Sequence, residues 1–206
     1  MFNIVLAFVI SAIVSYLLGC IPSAYMVGKS FKGVDIRQVG SHNMGAMNTF
    51  YAIGFWPGML VLGTDICKAM LALTLSYWTT VLLQVPSNQV VPVEMVAGIF
   101  VIAGHNFPVF LKFRGGKGVA VYIGILIGLF WPAAIVFCVI WLTTAIVTRY
   151  SSLSALVASV VTPIFLWWFG HPALASLFAV LTLLLFYMHR ENIKRLQAGT
   201  EGKIGK

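Results

Sequence analysis

Three polar segments hold most of the side chains in this chain whose types and spacing suit chemistry on an anion. The first reads G-S-H-N-M-G-A-M-N over residues 40–48. Closely spaced glycines let a backbone turn its N–H groups toward a ligand, and Ser and Asn side chains add neutral donors. The segment therefore predicts a site for an anion or a hydroxyl group. The alternative is a loop in which Ser41 and Asn43 only cap a helix.

The second segment joins G-H-N-F-P at residues 104–108 to F-R-G-G-K-G-V at residues 113–119. A Gly-rich turn that carries Arg and Lys and opens into a helix presents free N–H groups, a positive helix end and two cations. These features are typical of phosphate binding. The turn is not a Walker A loop, because Leu111 occupies the place of its first Gly and Gly118 the place of its Ser or Thr. The alternative is a pair of basic membrane anchors beside a flexible turn.

The third segment reads H-R-E-N-I-K-R-L over residues 189–196 and continues to Glu201. If the preceding helix runs on, His189, Asn192 and Leu196 share one of its faces. That face would present an imidazole and an amide to the same ligand. The alternative is a basic tail that contacts anionic lipid head groups.

Asp65 and Lys68 lie three residues apart inside an apolar run, so both would share one helix face. Charged side chains within a bilayer are costly and are generally paired or functional. A structural pair and a functional pair are equally compatible with the sequence.

Several enzyme classes lack their usual residues here. The sequence contains neither a G-x-S-x-G nucleophile turn nor an H-E-x-x-H zinc motif, and it has only five carboxylates. The cysteines at positions 20, 67 and 138 lie in apolar segments without metal-ligand spacing, so we assign them to packing. A metal hydrolase is hard to assemble from these residues, and we predict no metal site.

The composition places the polar segments in a membrane protein. Of 206 residues, 60% are hydrophobic and only 9% are charged, whereas a soluble domain carries about 25% charge. We predict an all-α, polytopic membrane protein that forms one domain over residues 1–206 and has about seven transmembrane helices. The predicted spans are 4–27, 59–83, 93–110, 117–130, 132–148, 152–169 and 172–188. Proline-containing turns separate them, at Pro86 and Pro92, Trp131-Pro132 and Gly170-His171-Pro172.

The charge distribution predicts an orientation. All thirteen Lys and Arg lie at or near one side of these spans if the N-terminus is outside, and the opposite loops 85–92, 131–132 and 170–171 contain none. The positive-inside rule then predicts the N-terminus out, the C-terminus in and the polar segments at the cytoplasmic face. Because the net charge of +8 follows membrane topology, we expect membrane lipid as a partner and not nucleic acid.

The three segments, in this order and on one side of the membrane, resemble the acyl-phosphate-dependent glycerol-3-phosphate acyltransferase family of bacterial membranes. The sequences that carry the resemblance are GSHNMGAMN at 40–48, GHNFPVFLKFRGGKGVA at 104–120 and HRENIKRLQAGTE at 189–201, with Asp65-Ile66-Cys67-Lys68 and Ser152-Leu153-Ser154. The resemblance implies transfer of a fatty acyl group from acyl phosphate to the sn-1 hydroxyl of glycerol 3-phosphate. The products would be lysophosphatidate and phosphate, in phospholipid biosynthesis.

The resemblance also implies no covalent intermediate, no cofactor and no metal. It places the chain in the bacterial cytoplasmic (inner) membrane with the active site facing the cytoplasm. An oligomeric state does not follow from it.

The resemblance assigns roles to individual residues. The implied phosphate-binding residues are Gly115, Gly116, Lys117, Gly118, Ser154 and Arg149. The implied substrate contacts are Ser41, Asn43, Gly45, Asn48, His189, Asn192 and Glu201. Among all of these we expect Lys117, Ser154 and His189 to be catalytic together with His105, and Asp65 and Lys68 to support the site.

The proton acceptor for the reaction has two candidates. His105 is a candidate general base or orienting group near the acceptor hydroxyl. Proton removal by a phosphate oxygen of the substrate is an equal alternative, because phosphate titrates near neutrality.

The chain departs from the family pattern G-S-G-N-x-G-A-T-N-x-x-R in the first segment. His42 replaces a Gly, Met47 a Thr and Tyr51 an Arg, and Val121 replaces a usual Thr after the second segment. Tyr51 cannot supply the bidentate donor that Arg offers to phosphate. A diverged paralogue with lost or altered activity is therefore one alternative, and a small anion transporter is another. A transporter should carry polar residues through both halves of the membrane, whereas here they crowd at one face.

Overall fold

The computed structural model describes residues 1–205, and within that range the chain forms nine α-helices and no strand. The helices are α1 Phe2–Gly19, α2 Ser23–Lys32, α3 Ala46–Ala52, α4 Phe55–Leu82, α5 Ser87–Asn106, α6 Val119–Thr148, α7 Ser151–Trp168, α8 Pro172–Met188 and α9 Arg190–Gln197. Short 3₁₀ turns lie at Ile36–Gln38 and Val109–Leu111. The predicted all-α class is confirmed.

Several helices are long and apolar enough to cross a bilayer, so the chain is an integral membrane protein. Five segments of the described chain meet this description: Phe2–Lys32, Phe55–Leu82, Ser87–Leu111, Val119–Thr148 and Ser151–Trp168. A sixth is added if α8 and α9, which meet at a bend of 62°, form one broken span. The predicted count of seven differs because it divides 117–148 into two spans and lets the 17-residue α8 cross alone.

The helices differ from the predicted spans at two prolines. The first predicted span, 4–27, is interrupted, because α1 ends at Gly19 and Pro22 precedes the start of α2. In contrast, we predicted a turn at Pro92, and this prediction was wrong. Pro92 lies inside α5 near its beginning, where the missing N–H removes only one helical hydrogen bond.

The structure divides into two compact units, Met1–Leu129 and a second one that begins at Phe130. The division falls within α6, where Phe130 leaves the helical conformation with φ −160° and ψ 82°. The Trp131-Pro132 pair, where we predicted a turn, follows Phe130 directly. The expectation of a single domain over residues 1–206 stays a prediction.

Small residues bring the helices of the first unit close together. The buried face of α1 consists of Ala7, Ser11, Ser15 and Gly19, one residue per turn. At Gly19 the backbone of α1 meets that of α5, because a methyl group there would overlap the carbonyl of Val101 and contact Gly104. This small-x-x-x-small spacing is a usual way for membrane helices to pack closely.

The second unit contains the remaining half of α6 and the helices α7, α8 and α9. Helix α7 packs against α8, and the Thr182 hydroxyl of α8 donates to the Ser159 carbonyl of α7 at 2.8 Å. Chain beyond α9 returns to the start of α7. There the Ile204 backbone N–H donates to the Arg149 carbonyl at 2.7 Å.

Candidate active site

A cluster of buried polar side chains joins α2, α4 and α5 in the first unit. Asp65 and Lys68 of α4 form an ion pair of 2.8 Å, with side chains only 2% and 5% exposed. The Ser23 hydroxyl of α2 donates to the same Asp65 oxygen at 2.8 Å. Two charges taken out of water in this way need such partners, because desolvation is costly.

Lys68 connects this pair to His105 of α5. Its ammonium donates to the Ile21 carbonyl at 3.1 Å and lies 2.9 Å from His105 Nδ1. Together with Asp65, these partners use all three N–H groups of Lys68. The imidazole is buried, and its Nδ1 faces the ion pair.

The Gly-rich segment lies against the other side of the same imidazole. Its glycines are required by close approach: a methyl group at Gly116 would overlap His105 Nε2 and Cε1, and one at Gly115 would overlap the His105 carbonyl. Gly118 adopts φ +88°, a conformation that favours glycine, just before α6 begins.

The two amides expected to cradle phosphate are already hydrogen-bonded. The Gly115 N–H donates to the Asn106 carbonyl and the Gly116 N–H to the His105 carbonyl, each at 3.1 Å. The expectation of free N–H groups at these two positions was wrong, because the segment pairs with the end of α5. Lys117, half-buried in the same segment, follows them directly.

The first polar segment forms a loop that Asn48 holds together from α3. Asn48 Oδ1 accepts from the Ser41 N–H at 2.8 Å, and its Nδ2 donates to the carbonyls of Ile36, Val39 and Asn43. These contacts use the donors and an acceptor of a buried amide. Asn48 therefore positions the loop, whereas we expected it to contact substrate directly.

The same loop reaches the Gly-rich segment. A methyl group at Gly116 would lie 3.0 Å from the Met44 carbonyl, so the two backbones are neighbours. A small cavity opens between them, lined in part by Ser23, Met44, His105 and Gly116. Ser41 is exposed, Asn43 is half-buried, and Gly45 precedes the first residue of α3.

The residues that depart from the family pattern lie on this loop and on α3. His42 adopts φ +59°, which explains why the pattern has Gly there, and its Nδ1 lies 3.0 Å from the Arg37 carbonyl. Because a carbonyl only accepts, Nδ1 carries the proton in that contact. Tyr51 is 55% exposed on α3.

Arg37 is committed to a neighbour. Its guanidinium and backbone N–H donate to Asp35, with the shortest contact 2.6 Å between Nη2 and Oδ2. The hydrogen bonds from Arg37 lower the pKa of Asp35 to about 2. Arg37 therefore stabilises the loop. It does not take over the role of the arginine that the family pattern has at position 51.

A second polar cluster lies in the second unit and centres on Glu201. Its Oε1 accepts from the Ser152 hydroxyl and from Asn192 Nδ2, each at 2.6 Å, and its Oε2 accepts from Arg195 Nε at 2.7 Å. Burial raises the pKa of Glu201, but the hydrogen bonds from Ser152, Asn192 and Arg195 outweigh burial, and the net pKa is lowered. Glu201 thus acts as an acceptor that ties the end of the chain to α7 and α9.

The other predicted residues of the second unit are placed as follows. The Ser154 hydroxyl is fully buried and donates to the Tyr150 carbonyl at 2.8 Å, so Ser152 is the serine of this turn that joins the cluster. His189 is buried and its Nδ1 donates to the Leu185 carbonyl at 2.8 Å. Arg149 adopts φ +63° and donates from Nε and Nη2 to the Ile204 carbonyl.

Four residues in these clusters were not singled out from the sequence: Ser23, Asn106, Ser152 and Arg195. A serine directly after Pro22 was a weak signal for a helix start, and Ser152 was named only as part of a motif. Asn106 is buried beside Gly118, and its side chain has no hydrogen-bond partner among the described residues. In that same range no three His, Cys, Asp or Glu side chains converge as metal ligands would.

Comparison with known proteins identifies relatives over nearly the whole chain. A family model described as glycerol-3-phosphate acyltransferase matches residues 9–199. A protein of that description from Rhodopseudomonas palustris (strain HaA2) is 55% identical over 201 residues, covering 96% of each chain. Another from Bradyrhizobium diazoefficiens is 53% identical over 198 residues, covering 95% of this chain and 94% of the relative.

Solved structures resemble the fold. A crystal structure of PlsY (YgiH), an integral membrane glycerol 3-phosphate acyltransferase, in its glycerol 3-phosphate form has a TM-score of 0.86 and 34% identity, covering 96% of both chains. The lysophosphatidic acid form of PlsY has a TM-score of 0.84 and 33% identity, covering 96% of this chain and 95% of that one. This chain belongs to the glycerol-3-phosphate acyltransferase family of integral membrane proteins.

Proposed function

We propose that the chain transfers a fatty acyl group from acyl phosphate to the sn-1 hydroxyl of glycerol 3-phosphate. The products are lysophosphatidate and inorganic phosphate. The observation that carries the proposal is the Gly-rich segment with Lys117, which closes onto the buried imidazole of His105 in a chain of this family. The solved relatives in their glycerol 3-phosphate and lysophosphatidic acid forms support the same acceptor and product.

The residue types suit a reaction in which both substrates carry phosphate. Lys117 supplies a cation, and the start of α6 after Gly118 adds the positive end of a helix dipole. The close pairing of Gly115 and Gly116 with α5 fixes the position of Lys117 relative to His105. The N–H groups of these two glycines already donate to carbonyls of α5. We therefore assign phosphate recognition to Lys117 and the residues that follow it.

Within the second unit, we assign substrate contacts to residues around its own polar cluster. Ser152 is added to the implied set of Ser154, Arg149, His189 and Asn192, because its hydroxyl lies beside Asn192 on the carboxylate of Glu201. Glu201 is assigned a supporting role. Its carboxylate already accepts three hydrogen bonds from the protein and has no donor for an anionic substrate. Its negative charge would also repel phosphate.

We place the N-terminus outside and the C-terminus inside a bacterial inner membrane, with seven crossings. The charge distribution supports this count. Basic residues occur after α2, between α5 and α6, at Arg149 and after α8, whereas 83–86 and 169–171 contain none. All four basic groups share the cytoplasmic side only if the halves of α6 that flank Phe130 cross separately and α8 crosses alone. The polar segments then meet soluble glycerol 3-phosphate, while the acyl chain stays in the bilayer.

The proposal is tested by phosphate release from purified protein in lipid nanodiscs. Palmitoyl phosphate and glycerol 3-phosphate are supplied together, and lysophosphatidate is measured by mass spectrometry. Palmitoyl-CoA replaces palmitoyl phosphate in a parallel reaction and should give no product. Loss of a charged donor at a phosphate site costs roughly 100-fold or more, so Lys117→Ala should fall by that factor. Lys32→Ala, at the exposed end of α2, is the matched control and should retain full activity.

A second candidate function rests on one observation, the exposed Tyr51 where the family pattern has Arg. A site without that guanidinium binds a dianionic phosphate less well, so the chain would be a paralogue with reduced turnover or another hydroxyl acceptor. The same assay separates the two candidates when the acceptor is varied. Activity with glycerol but not with glycerol 3-phosphate would favour the second.

A further inference from the structure

We propose that Asp65 and Lys68 hold His105 in the tautomer with its proton on Nε2, so that the imidazole donates a hydrogen bond to the acyl phosphate bound beside Gly116. His105 is then a donor and not the base that takes the proton of the acceptor hydroxyl. The inference rests on the proposed function for the identity of that substrate. The tautomer itself depends only on the contacts of Lys68.

The first step concerns what Lys68 offers to His105. An ammonium group carries three N–H donors and no acceptor. Two of the donors are directed at Asp65 Oδ1, 2.8 Å away, and at the Ile21 carbonyl, 3.1 Å away. The third faces His105 Nδ1 at 2.9 Å. Nδ1 must accept this hydrogen bond, so it carries no proton.

The second step excludes a direct proton transfer from His105 to Asp65. The distance from Nδ1 to Asp65 Oδ1 is 3.6 Å, too long for a hydrogen bond. Asp65 is already an acceptor for Lys68 and for the Ser23 hydroxyl. The arrangement therefore differs from the Asp–His pair of a serine hydrolase, in which Nδ1–H donates to the carboxylate and leaves Nε2 free to act as a base.

The third step concerns charge. An imidazolium would place a second cation 2.9 Å from the Lys68 ammonium in a buried site that holds one carboxylate. A neutral imidazole avoids this repulsion. With Nδ1 occupied as an acceptor, the single proton of the neutral ring resides on Nε2.

The fourth step locates that Nε2–H group. It lies beside Gly116 in the Gly-rich segment, where a methyl group on the glycine would overlap the ring. The small cavity there is also lined by Ser23, Met44 and Gly115, and Lys117 comes next in the chain. An oxygen of the acyl phosphate at this place would accept from Nε2–H. Asp65, Lys68 and Ser23 are positioning residues, since they act through His105.

Two replacements of His105 separate a donor from a base. The side-chain amide of glutamine places an N–H₂ group near the position of Nε2, but it cannot take up a proton. We expect His105→Gln to retain activity within about tenfold of the wild type and His105→Ala to lose about 100-fold, as for removal of one catalytic donor. Equal, near-complete loss in both variants, with both still folded by size-exclusion chromatography, would mean that His105 is a base and would overturn the inference.

The tautomer is measured directly and without substrate. In ¹⁵N-histidine-labelled protein, the Nε2 resonance of His105 should show an attached proton and Nδ1 should not. Its assignment follows from the resonance lost in His105→Gln or, if that variant misfolds, from single replacements of the other three histidines in turn. A wild-type His105 protonated at Nδ1 contradicts the proposal.

Lys68→Met tests the positioning role. It removes the donor to Nδ1, so the Nδ1–H tautomer should become populated and kcat should fall about tenfold with an unchanged KM for glycerol 3-phosphate. A protein with the expected tautomer but no acyl transfer would leave the inference about Asp65 and Lys68 standing and remove the proposed function. An unchanged tautomer in folded Lys68→Met would remove the inference alone.

Discussion

Gly116 lies against the imidazole of His105 so closely that a methyl group in place of its hydrogen would overlap Nε2 and Cε1. The neighbouring atoms belong to a ring that Lys68 holds in place and not to a flexible chain end. The backbone carbonyl of Met44 closes the other side. Position 116 therefore requires glycine because a larger residue has no room there. The backbone conformation is not the reason, since φ of Gly116 is not in the left-handed region.

Gly116→Ala should lower the rate of acyl transfer about 100-fold while the protein stays folded. The added methyl displaces the imidazole or the Gly-rich segment by several tenths of an ångström or more, and misplacement on the order of 1 Å costs about 100-fold in rate. Phosphate release and circular dichroism are measured on the same samples. Gly63→Ala is the control, because no heavy atom outside its own helix lies within 4 Å of the added methyl. Within α4 this change should stabilise by about 0.5–1 kcal/mol and leave activity unchanged.

Glu201→Gln should release the end of the chain from α7 and α9. The amide N–H₂ group cannot accept from Arg195 as the carboxylate oxygen does, so at least one of the three hydrogen bonds is lost. Trypsin cleavage after Arg195 and Lys203 should then accelerate about tenfold, because the local opening that exposes these sites costs less free energy. Mass spectrometry of the fragments provides the rate.

The matched control for this change is Glu191→Gln. Glu191 is an exposed carboxylate that pairs with Lys194 at 3.2 Å on the surface of α9. Exposed pairs contribute little to stability, so cleavage should proceed as in the wild type. Equal acceleration in both variants would show that charge on the tail, and not the Glu201 cluster, governs protection.

The stabilising effect of Asp35 should depend on pH in one direction. Its pKa is about 2 in the folded chain, below the value of about 3.9 in an unfolded one. The contribution is therefore complete above pH about 4 and is lost as the pH falls toward 2. The difference in Tm between wild type and Asp35→Asn should be constant at neutral pH and shrink over that acidic range. A difference that grows on acidification would contradict the assignment to the Arg37 pair.

Tyr51→Arg should raise kcat/KM for glycerol 3-phosphate about tenfold if the phosphate site lacks an arginine at position 51. A guanidinium restores a bidentate donor at an exposed position of α3. Tyr51→Lys provides charge without the bidentate geometry and should give a smaller gain. If neither variant changes kcat/KM while both remain folded, the phosphate of the acceptor is bound elsewhere. A higher rate with another hydroxyl acceptor would then favour the second candidate function.

The helical architecture was largely predictable because long apolar runs can satisfy their backbone in a bilayer only as helices. Residues 59–83 and 172–188 match α4 and α8 within a few positions. The short α3 was not predicted, since seven residues carry too little periodicity to recognise. The break before α2 was missed although Pro22 was visible, because the apolar composition continues across it.

The site was less predictable, because its hydrogen bonds join residues far apart in sequence. Glycine spacing singled out Gly115 and Gly116, but their amides pair with carbonyls at the end of α5. Ser152 and Ser154 are indistinguishable as residue types and lie on different faces of α7. Only the returning tail with Glu201 determines which one joins a cluster. The Asp65–Lys68 pair was visible, whereas its link to His105 required the fold.

The partners of Asp65 and Lys68 also bear on how the polypeptide is made. Ser23 and the Ile21 carbonyl precede α4 in the chain and leave the ribosome before it. When α4 enters the bilayer, acceptors and donors for its two charges are already there, and His105 arrives afterwards. Deleting the N-terminal helices would therefore leave this ion pair without its hydrogen bonds to Ser23 and the Ile21 carbonyl.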